Sequence, residues 1–242
     1  MHNTYAPVTC DFIQTPAPLA PVILQAGPWV CLAAGFDRSV YHDSLFRALG
    51  VTFPVQLQQA VAKRRAEFLA GRYVAQSALV RLMGHWSDIA VGPQRQPLWP
   101  DGVHGSISHA DDLAVSLATT APDALLGIDV ENLLTLDRCE AVQRACTRPD
   151  ELPLLHAAEV GYVATLTLLF SAKETLFKAL FPRVGAFFDF RAAVLRELSV
   201  GEGRLVLSLT MDLSAANRCG DCFDIRFAVQ RTHVMTWIAG IV

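Results

Sequence analysis

Gly127-Ile128-Asp129-Val130-Glu131 and, further along, Phe170-Ser171-Ala172-Lys173-Glu174-Thr175-Leu176-Phe177-Lys178 are the stretches on which the reading of this chain turns. The first has the short apolar-acidic alternation of a strand. Residues two apart on a strand leave the same face, so Asp129 and Glu131 project together while Val130 points the other way, into a core. The second has helical period. Glu174 and Lys178, four apart, share one helix face, and Ser171 is a mid-helix serine rather than a cap, because an apolar run precedes it. Two adjacent carboxylates repel unless a cation or protons neutralise them, and oxygen-only ligands favour Mg²⁺. Of three lysines in the chain, two, Lys173 and Lys178, lie in this second stretch. A lysine ammonium acts as a point charge on phosphate, so the pair of motifs points to phosphate chemistry. The bland alternatives are an acidic strand end and a solvated Glu–Lys pair.

Around these motifs the composition is that of a folded chain. Its 242 residues are 52% hydrophobic and 18% charged, enough for a sizeable core and against disorder. A net charge of −3 offers no basic stripe for nucleic acid. Met1 to Asp11 lacks the cationic start and apolar run of a secretion signal, and no stretch approaches the ~18 uninterrupted apolar residues of a membrane span. A cytoplasmic enzyme with reduced thiols is therefore expected. Among the six cysteines, Cys219-Gly220-Asp221-Cys222 is a lone C-x-x-C with no second ligand pair nearby, which reads as plain thiols in a turn between two strands.

The rest of the chain reads as helix then strands, twice. Prolines 7, 16, 18, 21 and 28 suggest an extended arm over the first thirty residues. A strand is expected at 30–36 and a long helix over 55–82, with Gly71 inside it marking close packing or a ligand near the backbone. A proline-rich loop over 92–105 leads through Ser106-Ile107-Ser108-His109 into a strand at 113–118, which is expected to form a hairpin with 124–130. Residues 152–180 read as helical, interrupted by Pro153 and Gly161, and end at Pro182. Strands follow at 187–195, 204–209, 224–229 and 234–238. The halves would be 1–121 and 122–242. Arg65 and Arg72 fall near one face of the first helix, with Arg64 displaced, and Arg95 lies in the proline-rich loop. There is no Walker A, no G-x-G-x-x-G and no G-x-S-x-G.

Taken in order, Lys63-Arg64-Arg65-Ala66-Glu67-Phe68-Leu69-Ala70-Gly71-Arg72, Arg95-Gln96-Pro97-Leu98-Trp99-Pro100, Gly105-Ser106-Ile107-Ser108-His109 and the two acidic motifs resemble the 4′-phosphopantetheinyl transferases of the Sfp type, in the enterobactin-synthetase component D branch. The resemblance covers roughly residues 55 to 240. It implies an α+β fold of two similar halves related by a pseudo-twofold, with the active site between them. It implies transfer of 4′-phosphopantetheine from coenzyme A to a serine of an apo acyl or peptidyl carrier protein, with release of 3′,5′-ADP. It implies Asp129, Glu131 and Glu174 as ligands of Mg²⁺, with Mn²⁺ left open. Glu174 would be the base and Lys178 the group that neutralises the β-phosphate. His109 with Ser108, and Arg64, Arg72 and Arg95, would contact coenzyme A. A monomer serving siderophore, peptide or fatty acid synthesis is expected. The alternatives are a non-catalytic binder of coenzyme A or carrier protein, and a metal-dependent phosphohydrolase.

Overall fold

A computed structural model describes residues 10–19 and 27–241. Most of the proline-rich arm, with Pro7 and Pro21, lies outside the described residues. Of its described part, β1 (Ala17–Pro18) pairs antiparallel with β2 (Trp29–Gly35). The chain divides into two compact units. One ends at Leu126 and also takes in Ile241; the other is Gly127–Gly240.

In the first unit a short helix α1 (Leu45–Ala48) precedes the long helix α2 (Ala62–Met83). The helix was expected from residue 55, but 55–57 is a single 3-10 turn and α2 begins seven residues late. The cause is Arg65. Its guanidinium donates to the carbonyls of Gln58 and Ala60 at 2.9 Å each and to Asp43 at 2.6 Å, so a side chain satisfies carbonyls that a helix would otherwise use. Gly84, with a left-handed φ of 77°, closes α2 by donating its N–H to Val80. The middle of α2 is buried on nearly every side by Ala66, Leu69, Ala70, Tyr73 and Val74.

A minimal ribbon, β3 (Ala90–Val91) with β4 (Pro97–Leu98), interrupts the expected proline-rich loop. Next come β5 (His104–Ala110) and β6 (Leu113–Thr119). The sheet order is β1-β2-β6-β5. Here the expected hairpin is corrected. Residues 113–119 pair with β5 on one side and β2 on the other, and do not pair with 124–130. The two-residue connection Asp111-Asp112, with Asp111 at a positive φ of 38°, makes the β5–β6 turn where a plain entry to a strand is expected.

The second unit carries β7 (Ala124–Asn132, its first residues belonging to the other unit), α3 (Leu136–Cys146), α4 (Leu152–Ala157), α5 (Tyr162–Val184), β8 (Ala193–Ser199), β9 (Arg204–Leu209), β10 (Cys222–Val229) and β11 (His233–Ile241). Its sheet runs β7-β11-β10-β9-β8. Helix α3 had no counterpart in the sequence reading, since only Cys139 and Cys146 of its eleven residues are buried and the apolar period is thin. Pro182 does not end α5. It gives up its own donor bond, yet the backbone stays helical to Val184, where Gly185 at φ 68° caps it. Residues 190–192 are a 3-10 turn, so the strand expected from 187 starts at Ala193.

One contact sets the spacing of β7 and α5. A Cβ on Gly127 would stand 2.2 Å from the Thr175 carbonyl oxygen, a backbone atom that has no room to retreat. Gly127 shares its strand face with Asp129 and Glu131, so the missing side chain is what lets the acidic face of β7 approach α5. Gly127→Ala is expected to cost about 1–3 kcal/mol by overpacking, read as a lowered thermal midpoint. An unchanged midpoint would show that the strand and helix are free to part.

Candidate active site

In the second unit Asp129 is 2% exposed and its carboxylate is held from two sides. Lys178 Nζ donates to Oδ1 at 2.6 Å and also to the Ile128 carbonyl at 3.2 Å. Ser171 Oγ donates to Oδ2 at 2.7 Å. Ser171 in turn lies 2.9 Å from Thr236 Oγ1 on β11, and Thr175 Oγ1 reaches both the hydroxyl of Thr236, at 2.6 Å, and its carbonyl, at 3.1 Å. Positions 171, 174, 175 and 178 fall on one face of α5 by helical period, which gathers these groups over β7. Ser171, Thr175 and Thr236 were not foreseen as site residues. The one signal for Ser171 is its spacing, a turn before Glu174 on the same face.

The electrostatics are those of crowded carboxyls short of positive charge. Burial pushes the Glu131 carboxyl up to about 8, helped by the charge of Asp129 and opposed by Lys178. Glu174 is also pushed above the usual carboxylate range, by burial first, with Lys178 opposing and Asp129 adding. Among the described residues no three His, Cys, Asp or Glu side chains form a ready-made metal-holding group; Asp129 is turned onto Lys178 and Ser171. The donor chemistry nevertheless fits a hard divalent ion, because Glu131 and Glu174, held above the usual carboxylate range by burial and by the nearby charge of Asp129, are what such a cation neutralises.

Lys173 takes no part in this. It is one residue round the helix from Glu174, and its ammonium is buried against Glu151, 2.9 Å from Oε1 and 3.0 Å from Oε2. It also donates to the Cys146 carbonyl, the last of α3, at 2.7 Å. Glu151 completes the knot by accepting the backbone N–H groups of Arg148 and Leu195. The expectation of two phosphate lysines is thus corrected to one, Lys178; helix phase sends its neighbour into the core.

The first unit holds a cationic group. Arg64 Nη1 lies 3.0 Å from His109 Nε2, and His109 Nδ1 lies 3.9 Å from Glu67 Oε2. Lys63 and Arg38 stand 3.8 and 3.9 Å from the other Glu67 oxygen. It is Arg64, which helical phase had set apart, that turns to His109; Arg65 is spent on the loop before α2. Of the two readings of Gly71, close packing is the one observed: a Cβ there would meet Ile107 at 3.0 Å and the His109 ring at 4.0 Å. Arg72 is 6% exposed and stacked on Phe68, 4.7 Å from the ring centre. Its Nε is buried without a hydrogen-bond partner among the described residues, and burial lowers its pKa to about 10, with Asp88 opposing. An orphaned donor on a buried cation suits an anionic ligand. Arg95 is exposed in the β3–β4 turn at a left-handed φ of 67°. Ser108 and His109 are consecutive on β5 and leave opposite faces, Ser108 buried with Ser106 and His109 turned toward α2. Their side chains therefore do not work side by side as expected.

Two family models match the chain. One, the 4′-phosphopantetheinyl transferase N-terminal domain, matches residues 53–119, and the other, the 4′-phosphopantetheinyl transferase superfamily, matches residues 125–232. The chain belongs to the 4′-phosphopantetheinyl transferase superfamily. It is 40% identical over 124 residues to the enterobactin synthase component D of Escherichia coli (strain K12), covering 51% of this chain and 58% of that one. It is 39% identical over 151 residues to the protein of the same name from Salmonella typhimurium, covering 62% and 61%. With the 4′-phosphopantetheinyl transferase Svp of Streptomyces mobaraensis it shares 39% over 161 residues, covering 64% and 65%. The chain thus spans about three fifths of the length of the curated relatives it matches. Both acidic motifs lie inside the superfamily match, and Arg64, Arg72, Arg95 and His109 lie inside the N-terminal match. The α+β class expected for this superfamily is the one observed.

Proposed function

We propose that this protein transfers the 4′-phosphopantetheine group of coenzyme A to a serine hydroxyl of an apo acyl or peptidyl carrier protein, releasing 3′,5′-ADP, in a Mg²⁺-dependent reaction. The observation that carries the reading is the group on β7 and α5: Asp129 fixed between Lys178 and Ser171, beside two carboxyls, Glu131 and Glu174, that burial makes reluctant to ionise. Asp129, Glu131 and Glu174 would hold the metal, which supplies Lewis acidity to the diphosphate when bound. Glu174, half-buried with a raised pKa, is matched to accepting the proton of the incoming serine. Lys178 is placed to neutralise charge that grows on the β-phosphate as the diphosphate bond breaks. The nucleophile comes from the partner, so this chain needs none.

Arg64, His109, Arg72 and Arg95 are assigned to the coenzyme A phosphates, and the orphaned Arg72 donor supports an anion there. Ser108 is assigned beside them, although its hydroxyl and the His109 imidazole leave opposite faces of β5. For the carrier protein, α5 offers Phe177 and Phe181 on the same face as Glu174 and Lys178, packed with Phe187 and Phe188, and Phe187 is 79% exposed. An aromatic surface beside the base suits a protein substrate. No helix among the described residues is long and apolar enough to cross a membrane; the setting proposed is a monomer in the cytoplasm.

Intact mass spectrometry of an apo carrier protein incubated with this protein, coenzyme A and Mg²⁺ tests the reading. A gain of one phosphopantetheine, abolished by EDTA, is expected. No gain across a panel of acyl and peptidyl carriers would overturn it. Lys178→Ala is expected to lower kcat roughly a hundredfold with little change in the KM for coenzyme A, as removal of a transition-state charge does. A raised KM at unchanged kcat would remove Lys178 from the chemistry.

A further inference from the structure

The C-x-x-C turn is more than two thiols near each other in sequence. Cys219 and Cys222 are exposed and unbridged at the join of the 210–221 loop to β10. The loop end is firmly built. The Asp212 carboxylate accepts the Cys219 N–H and an Arg218 N–H, at 2.9 Å each. Asp221 accepts the Arg218 N–H at 2.6 Å and returns its own N–H to the Arg218 carbonyl at 3.1 Å. Leu209 then pairs with two residues at once: it accepts from Gly220 N–H and donates to the Asp221 carbonyl, both at 2.9 Å. Two residues opposite one, the first a glycine at φ 93°, is a G1 bulge.

The bulge folds the C-x-x-C run back on itself. Cys222 Sγ lies 3.4 Å from the Gly220 carbonyl oxygen, so its thiol is turned back onto the turn that carries Cys219. Three of the other four thiols are poor competitors. Cys31, Cys139 and Cys146 are buried, and burial pushes the Cys31 and Cys146 thiols up to about 12.

We propose that Cys219 and Cys222 form a reversible dithiol site that undergoes exchange with low-molecular-weight disulfides and resolves the adduct within the turn. One thiolate attacks the disulfide of the small molecule, forming a mixed disulfide and expelling one small thiolate. The second cysteine's thiolate attacks the protein sulfur of that mixed disulfide, closing the Cys219–Cys222 bond and expelling the other thiolate. Two protein thiols are oxidised and lose their protons, and one external disulfide is reduced to two thiols. The site clears its own adducts, so surface thiolation of this protein is transient. It stands apart from the groups assigned to transfer and does not rest on that assignment.

The test is the reduced protein in glutathione buffers of graded disulfide-to-thiol ratio, quenched with acid and read by intact mass and peptide mapping. Wild type is expected to lose the mass of two hydrogens, with the link mapped to Cys219–Cys222. Cys222→Ser is expected to accumulate a glutathione adduct on Cys219. Because an intramolecular thiol acts at millimolar or greater effective concentration, the adduct on wild type should lie at least about tenfold below that on the variant. Equal adduct on wild type and variant, or a link mapped to any other pair, would overturn the proposal.

Discussion

Asp129→Ala is expected to lower phosphopantetheine transfer about a thousandfold, the upper end of the scale for losing one preorganised electrostatic group. The carboxylate has two tasks at once. It is the best-held of the three candidate metal ligands, and it fixes the Lys178 ammonium at 2.6 Å. The loss of fold should be small by comparison. The Lys178 side chain is 24% exposed and can turn to water once its partner has gone. Asp129→Asn keeps an acceptor for Ser171 while removing the charge, so it separates the two tasks. A similar collapse in Asp129→Asn assigns the effect to charge; near-normal transfer by either variant would remove Asp129 from the chemistry. The checks are initial rates of carrier modification beside thermal midpoints.

Lys173→Met should have the largest effect on stability. Its ammonium and the Glu151 carboxylate are 1% and 0% exposed, so removing one partner leaves the other charged and buried. Breaking such a pair costs about 3–5 kcal/mol. For a chain of this length that corresponds to a fall of roughly 10 °C in the thermal midpoint. Burial lowers the pKa of Lys173, with Glu151 opposing, which is the mark of a cation kept charged by its partner. Adding Glu151→Gln should restore part of the loss, since glutamine leaves no buried charge and its single side-chain oxygen still accepts from one of the two N–H groups, Arg148 or Leu195, that the carboxylate holds. A single variant as stable as wild type, or a double variant no better than the single, would contradict this account.

These two lysines also mark what could be read from the chain itself. The shared face of Asp129 and Glu131 follows from strand period, and the alignment of Glu174 with Lys178 follows from helix period; both are local rules. Lys173 differs from Glu174 by a single helical step, and only the packing of α3 against α5 shows that its face is the buried one. The β5–β6 hairpin was missed because its turn is Asp111-Asp112, without the glycine that usually announces one. Helix α3 was missed because an exposed helix needs few apolar residues. The late start of α2 rests on Arg65 reaching back to two carbonyls, a tertiary event with no periodic trace. The loss of a joint role for Ser108 and His109, by contrast, was legible in principle, since neighbours on a strand never share a face.

Gly127 has a consequence for how this protein tolerates change. The gap between β7 and α5 is set where one main chain meets another, so it behaves as a fixed ruler rather than a cushion of side chains. Substitutions elsewhere in the second unit, at Leu176 or Leu180 for instance, can loosen the interior and lower the melting point while the separation of Asp129 from Lys178 stays the same. Sequence drift in that interior is then nearly invisible to the chemistry until the unit melts, and a variant library there should show activity per folded molecule holding level as stability falls.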